Sequence, residues 1–448
     1  MTQMPPGWIE STISDLVSDD GVFVDGDWVE TKDQDPDGEV RLIQLADVGD
    51  GAFLDRSSRF LTATKAGVLR CTMLRENDIL IARMPQPLGR ACIFPGSTRQ
   101  CVTVVDVCIV RPGSMGPDPR WLMHVANAPQ MRSAMTALQS GSTRQRISRA
   151  NLARIPIPVP PVPEQLRIVA EIEKQFTRLD AATAALQRAR SNLKRCRSSA
   201  TEAAFVSHST APIRRLGDLG EIVGGLAKGQ KRKVGTRTRP VPYLRVANVQ
   251  RGHLDLHNIK LIEATEEEIR SLQLMPGDVL LNEGGDRDKL GRGWIWEGQI
   301  TGCIHQNHVF RVRLDPLLAV PKFVSQYANH FGQKYFFEEG KQTTNLASIN
   351  MTKLGALPIP LPHVEEQETL VTALEDYLSL LDNLDHSIDT DLRRTTTLRQ
   401  AILNKAFEGK LVPQDPNDEP ASILLGRIRA ARARTPVRRA QRKREVHA

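Results

Sequence analysis

The sequence predicts an α/β protein of the α+β kind: two pseudo-symmetric mixed α/β domains separated by two long helices that pair as an antiparallel coiled coil. Three observations carry this expectation. A block of about 60 residues recurs at a fixed offset of 202. Each block contains a long stretch with neither glycine nor proline, between Pro163 and Pro212 and again between Pro362 and Gly409. Outside the blocks, short apolar runs alternate with turn-forming residues.

The repeat is legible residue by residue. Ile155–Asp180 reads IPIPVPPVPEQLRIVAEIEKQFTRLD, and Leu357–Asp382 reads LPIPLPHVEEQETLVTALEDYLSLLD. Pro156, Ile157, Pro158, Pro160, Val162, Glu164, Gln165, Val169, Glu173, Leu179 and Asp180 recur unchanged. Looser matches precede them: Gln44–Val48 with Arg245–Val249, Asn77–Leu80 with Gly277–Leu280, and Leu88–Arg90 with Leu290–Arg292. The chain therefore divides into a first variable domain (1–154), a lead-in and long helix (155–210), a second variable domain (211–356), a second lead-in and helix (357–412), and a basic tail (413–448).

In the long segments Val169, Ile172, Phe176, Leu179, Leu186 and Leu193 recur at heptad-like spacing, as do Val371, Leu374, Leu378, Leu381, Ile388 and Leu392. Some 43 residues at 1.5 Å each make rods of roughly 65 Å. A lone rod would leave its apolar stripe wet, so the two are expected to pair. Charge sets the direction. Residues 188–197 carry Arg188, Arg190, Lys194, Arg195 and Arg197 without an acid, whereas 365–391 carry nine acids and no base. Antiparallel pairing sets these stretches side by side; parallel pairing sets arginines against Arg393, Arg394 and Arg399.

In the variable domains the strands expected are Glu39–Leu45, Asp78–Ala82 and Cys101–Val110, then Val241–Val246, Asp278–Leu281 and His308–Leu314. Helices are expected over Pro119–Leu138 and Pro321–Glu339.

Composition narrows the function. Of 448 residues 40% are hydrophobic and 25% charged, enough for packed cores. No apolar run is long enough to span a membrane, no signal-peptide pattern opens the chain, and the six cysteines contain no C-x-x-C, so a cytoplasmic protein without disulfides is expected. Residues 427–448 hold nine of the 60 basic residues and one of the 52 acids. They account for the whole net charge of +8, and the body is neutral.

The sequence lacks the common catalytic patterns. An amino-methyltransferase needs an Asn/Asp-Pro-Pro-aromatic loop and a glycine-rich cofactor turn; neither is present. Gly224–Gln230 has Walker-like glycine spacing, but Gln230 stands where the phosphate-binding lysine belongs, so backbone-approach glycines are the better reading. Glu-x-Lys recurs at Glu30, Glu339 and Glu408 in unrelated contexts, which speaks against a nuclease centre. His305 and His308 near a strand start face opposite sides and make a poor metal pair. No catalytic residue, metal or cofactor is assigned to this chain.

Contact with nucleic acid remains. Lys231, Arg232 and Lys233, with Lys228, Arg237 and Arg239, form a glycine-interleaved run without an acid that suits a phosphate backbone. Arg144 and Arg146, with Arg149, form a smaller cluster. The loops after the paired strands offer Arg83, Gln86 and Arg90 in the first domain and Asn282, Arg287, Lys289 and Arg292 in the second; Gln306 and Asn307 add amides. Arginine matches a guanine edge and Asn or Gln an adenine edge. Each residue also has an ordinary role as a turn or ion-pair group. At the tail, Ile423, Leu424, Leu425 and Ile428 suggest a short amphipathic helix, followed by a disordered Arg432–Arg444 that adds nonspecific attraction to DNA.

The duplicated PIP-x-P…EQ…V lead-in with its long helix, and the closing AFEGKLVP (406–413), resemble the specificity subunit of Type I restriction–modification enzymes. GSTRQRIS (141–148) and QTTNLASI (342–349) sit where that family has its Gly/Thr-rich stretch. The resemblance implies a non-catalytic host-defence subunit. Each variable domain would be a target recognition domain reading one half of a bipartite site in double-stranded DNA, with the coiled coil as the ruler between halves. Two methyltransferase subunits would bring S-adenosylmethionine for adenine N6, and two restriction–translocase subunits would bring ATP and Mg. The competing expectation is a coiled-coil interaction scaffold with no DNA readout.

Overall fold

The structure is a computed structural model and describes residues 4–141, 145–208, 210–229, 232–285, 289–342 and 347–434. The chain folds as two compact units. One joins the residues up to Leu186 with those from Thr390 onward; the other is Gln187–Asp389.

The first unit contains β1 (Ile9–Thr12), β2 (Val22–Asp25), β3 (Val40–Ile43), β4 (Arg59–Leu61), β5 (Ile79–Ala82), β6 (Ala91–Ile93), β7 (Cys101–Thr103), β8 (Val107–Arg111) and β9 (Pro156–Val159). Its helices are α1 (Ile13–Leu16), α2 (Ala63–Val68), α3 (Pro119–Asn127), α4 (Pro129–Ala137) and α5 (Arg149–Leu152), together with the beginning of α6 (Val162–Val206). The strands form a four-stranded sheet β2-β8-β5-β6, a three-stranded sheet β4-β3-β7 and the pair β1-β9.

The second unit repeats this plan. It has β10 (Ile213–Arg215), β11 (Gly220–Gly224), β12 (Arg239–Leu244), β13 (Val249–Gln250), β14 (His253–Leu254), β15 (Lys260–Ala264), β16 (Val279–Asn282), β17 (Gly284–Gly285) and β18 (Gly293–Ile295). Then come β19 (Ile304–His305), β20 (Val309–Leu314), β21 (Lys341–Gln342), β22 (Ala347–Ser348) and β23 (Pro358–Pro360). The helices are α7 (Glu266–Leu272), α8 (Pro321–His330), α9 (Gly332–Glu339), α10 (Met351–Gly355) and most of α11 (Val364–Phe407); α12 (Ala421–Arg434) returns to the first unit. Sheets β11-β20-β16-β18 and β15-β12-β19 and the pair β10-β23 match those of the first unit strand for strand.

The duplicated proline lead-ins are thus strands. Pro156–Val159 pairs antiparallel with Ile9–Thr12, and Pro358–Pro360 with Ile213–Arg215. Each strand has a single neighbour, so a proline without an N–H is tolerated on its free edge. Two expected elements are divided. Cys101–Val110 is two strands, because the chain turns at Val104 and passes from the three-stranded sheet to the four-stranded one. The helix expected over Pro119–Leu138 breaks at Pro129, which opens α4 and has no N–H to continue α3. Pro321–Glu339 breaks likewise between α8 and α9, where the Phe336 ring packs onto Gly332.

The helices pair antiparallel in both units. In the first, Ile168, Val169 and Ile172 share a core with Ile402, Leu403, Ala406 and Phe407, and Phe176 and Leu179 pack against it. Further along, Arg399 lies 4.5 Å over the Phe176 ring and pairs with Asp180. In the second, Val371, Leu374, Leu381 and Ile388 are buried and Leu378 is partly so. There Arg190 holds Asp385 and Asp389 at 3.1 and 2.9 Å, and Arg197 pairs with Asp382. These are the charges that the sequence matched. Leu186 is half-buried.

The expected basic tail departs most from the structure. Leu424, Leu425 and Ile428 of α12 are buried in the first unit's core, and Arg167 forms an ion pair with Asp418. Arg432, expected within a disordered stretch, donates to the carbonyls of Ser14 and Val17 at the end of α12. Residues 435–444 of that stretch lie outside the described residues. Among the described residues, no helix is long and apolar enough to cross a membrane.

Candidate nucleic-acid interface

A buried polar frame, present twice, holds the loops in place. Asp78 accepts two hydrogen bonds of 2.6 Å from Arg111, and Asp278 two of 2.8 Å from Arg313. Both acids also take the backbone N–H three residues earlier, Arg75 and Met275 respectively, which fixes the turn into the central strand. Asn127 pairs through its amide with both backbone groups of Ala91, and Asn329 does the same to Gly293. Gln165 donates to the Pro160 carbonyl and accepts from Asp118; Gln367 donates to Pro362 and accepts from Val320. The recurring Glu-Gln of the sequence therefore contains a structural clamp, tying each lead-in to the start of a short helix. Its partner Glu164 is buried, accepts from the Trp8 indole at 2.9 Å, and has its pKa raised by desolvation.

Several residues singled out for DNA contact are bonded within their own domain. Arg83 is 5% exposed; it lies 3.3 Å from Asp25 and donates to the Val105 carbonyl. Arg90 donates to the carbonyls of Val48, Leu45 and Pro87. Asn282 is fully buried and donates to Val249. Arg292 donates to Val246, and Lys289 is half-buried and partnered. Arg232 is held by Glu268 and the Glu263 carbonyl, and Arg239 by Glu266. Arg83, Arg90, Asn282, Arg292 and Arg232 hold backbone carbonyls, because a loop that leaves a strand end needs its carbonyls satisfied. Sequence reasoning also missed the clamps, although the invariance of Gln165 and Gln367 between the copies marked the position.

Gln86, Arg146, Lys228, Lys233 and Arg237 are exposed, and Gln306 and Asn307 are half-buried. Arg144, Lys231 and Arg287 lie outside the described residues. Leu226 bridges in parallel to Gln306, and Asn307 donates its backbone N–H to Leu226, so the lysine-bearing loop runs alongside the two amides. Gly225 is required there: a Cβ would stand 2.0 Å from the His305 carbonyl oxygen. That close approach explains Gly225, and Gly229 of the same stretch sits at a φ of 78°, where glycine is favoured.

His305 and His308 separate as expected. His305 is buried, donates to the Val309 carbonyl at 2.7 Å, and has its pKa pushed down to about 4 by burial. His308 is exposed and bonded to Glu283 at 2.7 Å. Among the described residues, no three His, Cys, Asp or Glu gather as metal ligands.

On the helices of the second unit, Ala200, Ala204, Leu370, Ala373, Leu374 and Tyr377 line an open groove of about 570 Å³. Tyr377, Leu380 and Leu384 continue it as an exposed apolar stripe on α11.

A family model described as the Type I restriction modification DNA specificity domain matches residues 31–193 and again 209–392. The StySPI specificity subunit of Salmonella potsdam, a Type I restriction enzyme component, is 26% identical over 356 residues, covering 74% of this chain and 76% of its own. The EcoKI specificity subunit of Escherichia coli K12 is 25% identical over 343 residues, 72% of this chain and 74% of its own. Two solved structures share the fold. One, from work on assembly and conformational transition of the type I R-M system, aligns with a TM-score of 0.70 at 18% identity, over 91% of this chain and all of that one. The other, the HsdS subunit of Thermoanaerobacter tengcongensis, aligns at 0.57 and 20% identity over 91% and 98%.

Proposed function

The chain belongs to the Type I restriction–modification DNA specificity family, as its non-catalytic DNA-recognition subunit, and from that premise we propose that it directs adenine N6 methylation and ATP-dependent restriction to a bipartite, asymmetric site. The carrying observation is the duplicated frame with dissimilar loops. Asp78–Arg111 and Asp278–Arg313 fix the same strand ends in both units, while the side chains beyond them differ. Two readers of one architecture with different rims suit a target in two unlike halves, and the paired helices suit the spacer between them.

Base readout is assigned to Gln86, Gln306 and Asn307, and backbone contact to Arg146, Lys228, Lys233 and Arg237. Two methyltransferase subunits would supply S-adenosylmethionine and two restriction–translocase subunits ATP and Mg, in the cytoplasm. The groove and the Tyr377–Leu380–Leu384 stripe are proposed as a face that a methyltransferase subunit covers, since monomers seldom leave such a stripe in water.

Base-modification sequencing of the source cell with and without the gene tests this reading. One split N6-methyladenine motif should vanish with the gene. Replacing residues 211–356 by another such domain should change one half of the motif and leave the other. If the replacement leaves the methylated sequence untouched, the chain is a scaffold and not a reader.

A further inference from the structure

Glu283, His308 and Asn307 form a chain of side-chain hydrogen bonds that ends beside the lysine-bearing loop of the second unit. Glu283 follows β16, and its backbone is fixed at both ends: its N–H donates to the His308 carbonyl and its carbonyl accepts from Ile349. The carboxylate Oε2 lies 2.7 Å from His308 Nδ1. A carboxylate only accepts, so Nδ1 is the donor in this bond. Nε2 stands 3.3 Å from Asn307 Nδ2, and an amide nitrogen only donates, so an N–H of Asn307 is directed at the ring. The Asn307 amide is thereby fixed against a flip. Its Oδ1 and second N–H have no partner among the described residues.

An oxygen acceptor beside an N–H donor in one plane is the pattern that matches N6 and N7 of adenine in the major groove. Resting on the DNA-reading role above, we propose that Asn307 reads one adenine in the half-site of the second domain, and that Glu283 and His308 are positioning residues that hold its amide in the reading orientation. The first domain has no such chain: Arg83 and Asp106 occupy the places of Glu283 and His308. Lys228, exposed on the adjoining loop, is placed for the neighbouring phosphate.

The test uses full-length variants in cells holding the methyltransferase partner, read by base-modification sequencing. Asn307→Ala should relax the motif at one base pair, with discrimination there falling about 10- to 100-fold, the range of one bidentate contact. Glu283→Ala and His308→Ala should relax the same base pair and no other, by a smaller factor. Glu283→Gln keeps an acceptor for Nδ1 and should retain the preference. The Glu283→Ala, Asn307→Ala double variant should be no more relaxed than Asn307→Ala alone. His257→Ala, which removes a different exposed His–carboxylate pair of this domain, His257–Asp255, should change nothing. The proposal is overturned if Asn307→Ala leaves every position intact, or if it relaxes a position that Glu283→Ala and His308→Ala leave alone. Failure of the DNA-reading role itself would show separately, as a motif indifferent to replacement of residues 211–356.

Discussion

At the end of its central strand the first domain carries Arg83 and the second Glu283, yet the backbones at these positions are bonded alike. Each N–H reaches the carbonyl of the residue just before the next sheet strand, Asp106 or His308, and each carbonyl accepts from Ile147 or Ile349. Arg83 turns inward onto Asp25; Glu283 turns outward onto His308. A few residues away the two domains keep the same Asp–Arg pair, the same asparagine clamp and the same glutamine clamp. Burial explains the division. Removing a buried partner strands a donor or a charge at a cost of about 1–3 kcal/mol or more, so these groups stay as they were when the copies arose. A group at the rim that can hydrate costs little to exchange, and there the copies have diverged.

The same contrast appears on the helices. The groove of the second unit is floored by Ala200, Ala204, Leu370 and Leu374. At an offset of 202 the first unit has Ile402, Ala406, Ile168 and Ile172, and these are covered by the segment holding Asp418, Ala421, Leu424 and Ile428. One copy of the groove is filled by the chain's own C-terminal segment; the other is open.

If the frame is equivalent in both copies, breaking it should cost the same in each. Asp78→Ala and Asp278→Ala should each destabilise their unit by about 2–4 kcal/mol, because each removes a buried carboxylate that accepts two bonds from an arginine and one from a backbone N–H. Denaturant unfolding of the two variants measures this, and a loss under about 1 kcal/mol in only one of them would end the equivalence. If the grooves differ as described, Ile428→Ala should cost about 2–4 kcal/mol by opening a cavity in the first unit, with the second unit's unfolding unchanged.

Acid should act on both units alike. Burial pushes His124 in α3 and His305 at β19 down to about 4 from an ordinary 6.5. A lowered folded-state pKa means that the neutral ring stabilises the fold fully above pH 6.5, and that this stability is lost as pH falls from 6.5 towards 4. By pH 5 the loss is about 2 kcal/mol for each histidine. His124→Gln should remove that dependence from the first unit only, as seen in unfolding followed between pH 7 and 5. The smallest effect belongs to the exposed helix pairs. Arg197→Ala should cost about 0.2–1 kcal/mol, and less in high salt; a larger loss would mean that charge and not the apolar seam holds α6 to α11.

The sequence made some of this legible and hid the rest for physical reasons. Periodicity and the 202-residue offset revealed the helices, and the run of acids opposite the run of bases revealed their direction, because both are properties of a one-dimensional pattern. Whether Arg90 or Arg292 faces outward is not such a property. It depends on which carbonyls a loop leaves unsatisfied, here Val48 and Leu45 in one copy and Val246 in the other. The Glu283–His308–Asn307 chain was likewise hidden, since its acid stands 25 residues from its imidazole. The sequence did offer Asn307 itself. The tail was half legible: the aliphatic residues marked a helix, and Leu424, Leu425 and Ile428 pack in the first unit's core while Ile423 is exposed, whereas the run of arginines hid that the helix continues to Arg434.

The meeting of residues 7–17 with residues 421–432 in the first unit has a consequence for how the protein is made. The Trp8 indole is bonded to Glu164, Ala421 donates to the Gly7 carbonyl, and Arg432 reaches Ser14 and Val17. A ribosome emits Trp8 more than 400 residues before Arg432, so the first unit lacks part of its core until residues 418–432 have left the exit tunnel. Residues 187–389 form a compact unit from one continuous stretch of chain. At about 5–20 residues per second, the interval is on the order of tens of seconds. Of the two units, the one begun earlier is the one finished later, and during that interval its unfilled core is open to chaperones and proteases.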